Sequence, residues 1–251
     1  MNQEDTTVRV TLRIPGNWAH PGELIERMPA GFRLTPEALL LPDGTEIELT
    51  PMPPDDQFAQ IFRSSCRQPA EDDELEIVDG YTVNIGLTGP GGSMAAALAM
   101  MQAGAAIVRA GGAGVFIDNS GVAHGGRKWI EMTEDGGPDA VSFAFVGMVR
   151  NRQEVWTIGM HVMGLPDIVM RRADVEPDGD TIIEVLDSPG VALAFGATFA
   201  IYAGCDKRFE TCRAKFANTL NFRGFPHMPG NDAVQSRPVA GEPMDGGSRY
   251  S

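Results

Sequence analysis

The stretch YTVNIGLTGPGGSMAAALAMMQAGAAIVRAGGAGVFID, residues 81–118, decides the fold. Residues 81–87 read as a strand. Thr88-Gly89-Pro90-Gly91-Gly92-Ser93 then forms a tight loop, and the Ser93 hydroxyl is suited to cap a following helix. The apolar run over residues 94–108 carries no charge and falls short of the roughly 20 residues that span a bilayer. It reads as a buried Ala/Met-rich helix that extends to Arg109 and is stopped by Gly111-Gly112. Residues 114–118 supply the next strand, so the whole is a βαβ-like or split-βαβ unit.

On the N-terminal side, Val8, Val10, Leu12 and Ile14 alternate with Arg9, Thr11 and Arg13, the period of a half-buried strand that Pro15-Gly16 ends. Residues 21–28 read as a short helix, and residues 39–41 and 47–49 as strands of a hairpin turned by Asp43-Gly44. Pro51, Pro53 and Pro54 break the chain. Asp55 then caps a helix over residues 56–65, with Phe58, Ile61 and Phe62 on one face. Residues 67–79 are acidic, with one helical turn expected. On the C-terminal side, residues 141–149, 155–160 and 181–186 read as strands. Short strands follow around Gly196, then a helix over residues 205–220, an aromatic Pro/Gly loop over residues 221–230 and a polar end.

The chain has 251 residues and a net charge of −14. Residues 1–186 carry −15 and residues 187–251 carry +1, a step that marks two units. The acidity argues against a nucleic-acid surface and against an anionic membrane. Three cysteines, Cys66, Cys205 and Cys212, make no disulfide framework, and residues 1–7 carry no secretory signal. A reduced cytoplasmic setting is expected.

Several motifs carry candidate chemistry. The loop of Gly89, Gly91, Gly92 and Ser93 either cradles an anion on the helix N-terminus or serves only as a packing turn; it lacks a phosphate-loop lysine and does not fit GxGxxG. Asp118-Asn119-Ser120-Gly121 with His124 close behind reads as a polar ligand site at a strand end or as a plain Asx turn. Trp129, Trp156 and Met160 read as core, and His161 as a hydrogen-bonded histidine. Cys205 and Cys212, with His227 downstream, offer three soft ligands or two small packed thiols. No GxSxG elbow and no HExxH occurs, and catalysis is not expected.

The segment from Gly204 through Cys205, Phe209, Cys212 and Phe216, continuing into Asn221-Phe222-Arg223-Gly224-Phe225-Pro226-His227-Met228-Pro229-Gly230, resembles the C-terminal domain of phage and gene-transfer-agent tail hub proteins. Asp245-Gly246-Gly247-Ser248 is similar to their tails as well. The resemblance covers roughly residues 187–251. It implies a structural part of a tail tip with other tail or baseplate proteins as partners. It also implies Cys205 and Cys212 as iron–sulfur ligands. Such clusters take four thiolates, and the family's upstream cysteine pair is missing here, so no cofactor is expected. On the same resemblance Phe222, Phe225 and Pro226 pack a rigid loop and Arg223 faces a partner.

The first 185 residues, through Ile14-Pro15-Gly16-Asn17-Trp18, Pro54-Asp55-Asp56-Gln57-Phe58, Gly89-Pro90-Gly91-Gly92-Ser93 and Thr157-Ile158-Gly159-Met160, resemble a bacterial α+β domain family of unknown function. The expectation is therefore an α+β chain: a mixed-sheet domain over residues 1–186 and a small strand-and-helix module over residues 187–251, joined near residues 183–189. The leading function is non-catalytic tail-tip assembly. The alternative is a cytosolic domain with a small-ligand or enzymatic site at Gly89, Gly91, Gly92, Ser93, Asp118 and His124.

Overall fold

The computed structural model describes residues 8–171 and 221–223. In chain order its elements begin with β1 (Arg9–Gly16), α1 (Pro21–Glu26), β2 (Arg33–Leu34), β3 (Ala38–Leu40) and β4 (Glu46–Met52). Next come α2 (Phe58–Ser65), α3 (Asp72–Asp79), β5 (Val83–Pro90), α4 (Met94–Arg109), β6 (Gly114–Ile117) and β7 (Val122–Gly125). Then follow α5 (Gly126–Asp135), α6 (Pro138–Phe145), β8 (Gly147–Arg150), β9 (Glu154–Ile158), a 3-10 turn (Met160–Met163), β10 (Asp167–Arg171) and β11 (Asn221–Arg223). The class is α+β.

Seven strands form one sheet in the order β2-β3-β4-β5-β1-β6-β7. Every ladder in it is antiparallel, so the expected mixed sheet is corrected. The reason lies at β1. It sits between β5 and β6 and pairs antiparallel with both, so those two strands run the same way without touching. With α4 joining them, the unit is a split βαβ. The register Val10↔Gly89, Leu12↔Leu87, Ile14↔Ile85 and Leu12↔Ile117 puts apolar partners on one face. There Val10, Leu12, Ile14 and Leu87 are wholly buried beneath α4, whose Met100 and Met101 are equally buried.

Helix α4 forms as its sequence dictates. Ser93 Oγ accepts from Ala96 N at 3.1 Å, and a run of alanines and methionines follows. Gly104 lets it lie close. A Cβ there would stand 2.8 Å from Trp129 Nε1 and 3.2 Å from Leu12 Cδ1. The Trp129 indole in turn donates to Met101 O at 3.1 Å, satisfying its only polar group inside the core. The opposite sheet face is covered at one end by α2 and α3, where Phe58, Phe62, Val78, Tyr81, Ala113 and Ala123 form a second cluster.

Four expectations change. Residues 141–149 are not one strand: Pro138 sits in the first turn of α6 and Asp139 favours its N-terminus, while Ala140, Val141, Ala144 and Phe145 bury at helical spacing. Only Gly147–Arg150 is extended. The acidic segment carries a two-turn helix, because Glu71 and Glu74 form a reciprocal capping box. Strand β5 runs on through Pro90, into the expected loop. Residues 221–223, expected as loop, form β11.

The second sheet has the order β11-β10-β9-β8, also antiparallel. It joins the main body through the 3-10 turn, whose Met160, Val162 and Met163 are buried in the main core. The strand expected over residues 181–186, the strands around Gly196 and the helix over residues 205–220 lie outside the described residues.

Candidate functional site

The glycine loop and the Asp118-Asn119-Ser120-Gly121 turn, 30 residues apart in sequence, both touch the 3-10 turn. Gly92 adopts φ +81°, a conformation suited to glycine. Its amide donates to Val162 O at 2.8 Å, and the Gly91 amide donates to Val8 O at 2.8 Å. A Cβ on Gly164 would collide with Gly92 O, so the two backbones meet at a glycine–glycine contact. The amides that would hold an anion at Gly91 and Gly92 are thus occupied by carbonyls. At Gly89 a side chain would collide with Met100 and Ile47.

At the other loop, Asp118 turns outward to a forked ion pair with Arg13, with Nε 2.7 Å from Oδ1. Asn119 turns inward. Its Oδ1 accepts from Thr11 N at 3.0 Å and its Nδ2 donates to Arg9 O at 2.9 Å, so the side-chain amide extends the edge pairing of β1 beyond the two residues it shares with β6. Those two bonds orient the amide. Its second Nδ2 hydrogen faces His161 Nε2 at 3.2 Å, which assigns Nε2 as acceptor and puts the ring proton on Nδ1. That nitrogen lies 3.9 Å from Asp167 Oδ2. Asp167 Oδ1 accepts from Thr157 Oγ1 at 3.2 Å and from Met160 N at 3.1 Å. The Asn119–His161 bond therefore ties the seven-stranded sheet to the 3-10 turn of the four-stranded one, with the Asp167 carboxylate near the other nitrogen of the ring. Its geometry holds an imidazole in a set orientation between a donor and a carboxylate. Ser120 Oγ beside it is buried with no partner among the described residues.

His124 does not join this cluster. It lies on β7, 1% exposed, between Trp129 and Phe143. Its ring is 3.0 Å from Ala144 O through Nε2, which therefore carries the proton, and Nδ1 is buried with no partner among the described residues. Burial pushes its pKa down to about 4, with the Arg67 and Lys128 charges adding to the effect and the Ala144 bond opposing it. Arg67 itself donates to Phe143 O at 3.0 Å and Val146 O at 2.9 Å, closing the C-terminus of α6. Cys66 ends α2 half-buried, its thiol pushed up by burial first. Among the described residues no group of three or more His, Cys, Asp or Glu is placed to hold a metal ion.

The structure thus brings together Gly92, Asn119, His161 and Asp167. It leaves Asp118 at the surface and His124 in a separate core position. His161 was legible only as a bonded histidine, and nothing in the local pattern marks Asp167 as its neighbour. Phe222 and Arg223 fall on β11, where Phe222 is in register with Ile168 and Arg223 with Asp167. Cys205, Cys212, Phe225, Pro226 and His227 lie outside the described residues. Among the described residues no helix is long and apolar enough to cross a membrane.

A family model described as phage conserved hypothetical protein BR0599 matches residues 155–232. The match links this part of the chain to phage proteins. It begins on β9, upstream of the expected join near residues 183–189, and takes in the 3-10 turn, β10, β11 and every candidate residue of the C-terminal part. No curated protein and no solved structure matches the chain.

Proposed function

We propose that the chain is a non-catalytic structural component of a phage-like or gene-transfer-agent tail tip. On this reading residues 187–251 form the module that meets neighbouring tail or baseplate proteins. The observation that carries it is the phage family match over residues 155–232, which contains Phe222, Arg223, Phe225 and Pro226. The sheet order supports it physically. Strand β11 is an end strand, so one backbone edge of residues 221–223 has no strand beside it among the described residues. Such an edge is a place where a partner strand adds. At the glycine loop, by contrast, the Gly91 and Gly92 amides already serve the chain's own carbonyls.

The test is binding of the purified full chain to phage-like tail and baseplate proteins. Complex formation at micromolar concentration is expected, weakened about tenfold, or ~1.4 kcal/mol, by Arg223→Glu or Phe225→Ala. No binding at that concentration, or binding indifferent to both substitutions, contradicts the proposal. The proposal extends to the metal. Cys205 and Cys212 stand seven residues apart, about 10.5 Å along a regular helix, and His227 is the nearest other soft donor in sequence. Two thiolates hold a four-thiolate cluster poorly. The chain alone is therefore expected to purify anaerobically without stoichiometric iron and sulfide. A near-stoichiometric cluster whose absorbance is lost in Cys212→Ser overturns this part.

A further inference from the structure

We propose that the cleft between α1 and the β4–β5 part of the sheet binds a neutral, mainly apolar small molecule carrying one hydrogen-bond acceptor at its end. The cleft has a volume of about 600 Å³, inside the range of roughly 300–1,000 Å³ typical of small-molecule sites. It opens where α4 stops covering the sheet. Leu49, Pro51, Val83 and Ile85 form its floor, and they belong to the same alternating set as Ile47 and Gly89, which face α4. Trp18 and Leu24 wall it. Ile25 stands on its rim, 54% exposed, one of two large apolar side chains left that open among the described residues.

The chemistry of the occupant follows from the polar atoms around it. The Trp18 indole already donates to Ala110 O at 2.8 Å. Thr35 Oγ1 donates to Ala38 O at 3.0 Å and accepts from Ala38 N at 2.9 Å. Thr82 Oγ1 donates to Trp18 O at 3.3 Å. His20 caps α1, its Nδ1 accepting from Glu23 N at 3.2 Å, so the ring proton sits on Nε2. That donor belongs to an exposed side chain at the mouth of the cleft and has no protein partner among the described residues. No Asp, Glu, Lys or Arg lines the cleft. A charged ligand would lose its hydration against apolar walls with nothing to pair with. A neutral molecule loses little, gains apolar contact area, and uses the free His20 Nε2–H through a carbonyl or ether oxygen.

The probe is Nile red, a neutral dye with one ring carbonyl, titrated into the full chain and read by fluorescence. Saturable one-to-one binding with blue-shifted emission is expected. Val83→Trp fills the floor, and Ile25→Glu puts a charge at the mouth of an already exposed position. Each should weaken binding about tenfold, whereas Ile61→Ala on α2 should leave it unchanged. The anionic dye anilinonaphthalene sulfonate should bind about tenfold more weakly than Nile red. Dye that does not saturate, that ignores Ile25→Glu, or that binds as well when anionic overturns the proposal. If Val83→Trp does not fold, by circular dichroism, Ile25→Glu alone decides.

Discussion

Between α4 and the seven-stranded sheet, Leu12, Met100, Met101 and Trp129 are wholly buried and lock together around a single glycine. The four-stranded sheet is held differently. Its ties to that body are the 3-10 turn, with three buried side chains, the packing of Met148 and Leu165 on the core, one backbone bond at Gly92 and the Asn119–His161 bond beside Asp167. The first region is a packed core that resists local opening. The second is a smaller sheet that meets the core through one turn, a few packed side chains and two hydrogen bonds, so sub-global opening there costs less. The match to the phage family model begins inside the second region, at residue 155. The part of the chain that matches phage proteins thus rests on a turn built into the core of the part that does not.

Substitutions should separate the two regions by magnitude. Trp129→Ala empties the centre of the first and should cost ~3–5 kcal/mol in urea unfolding. A smaller loss would mean that the core collapses around the gap. Acid should act next. His124 has a folded pKa of about 4 against an ordinary 6.5, so the unfolded chain takes up the proton first. Its contribution is full above about pH 6.5 and is lost as pH falls toward 4, up to ~3 kcal/mol. Unfolding free energies at pH 7 and pH 4.5 should therefore differ by clearly less in His124→Gln than in the unsubstituted chain. An equal pH difference in both sinks the assignment.

Gly104→Ala sets propensity against packing. Alanine favours a helix by ~1 kcal/mol over glycine, but its Cβ would stand 2.8 Å from Trp129 Nε1. A net destabilisation of ~1–3 kcal/mol is expected, and a stabilised variant would show that α4 can move off the sheet. Asn119→Ala should have the smallest global effect, ~1 kcal/mol. Hydrogen exchange should accelerate in β9 and β10 while α4 stays protected. Uniform acceleration would erase the distinction between the regions. Limited proteolysis tests the other division, the expected join near residues 183–189, which lies in the connection between β10 and β11 of the four-stranded sheet: cleavage is expected between Asp174 and Pro189, and one protected 27 kDa species would place residues 1–186 and 187–251 in a single core.

A strand–helix–strand unit, split or not, was legible because its signals are local and agree: a strand, a serine cap, an Ala/Met helix and a Gly-Gly stop. Strand β1 at the chain's start and its place between β5 and β6 settle the antiparallel pairing, and no window around residue 114 contains that information. Residues 141–145 misled because a buried helix and a buried strand share the same apolar run; Pro138 and Asp139 were the available arbiters. Strand β7 and helix α5 hid behind Asp118-Asn119-Ser120-Gly121, a hairpin turn that also looks like a polar site. His124 sits six residues from Asp118 in sequence, yet the strand takes it into the core. The Asn119–His161 bond, with Asp167 close by, brings together residues 42 and six positions apart through tertiary packing alone, which no spacing rule reports.

The tail-tip reading is tested most directly by mass spectrometry of gradient-purified particles from cells producing the phage-like tail. The account predicts this chain in the particle fraction, at a stoichiometry comparable with the other tail-tip proteins. It also predicts loss of the chain from that fraction with Arg223→Glu or Phe225→Ala while the folded protein stays in the lysate. Particles that contain the other tail proteins but not this chain would contradict it.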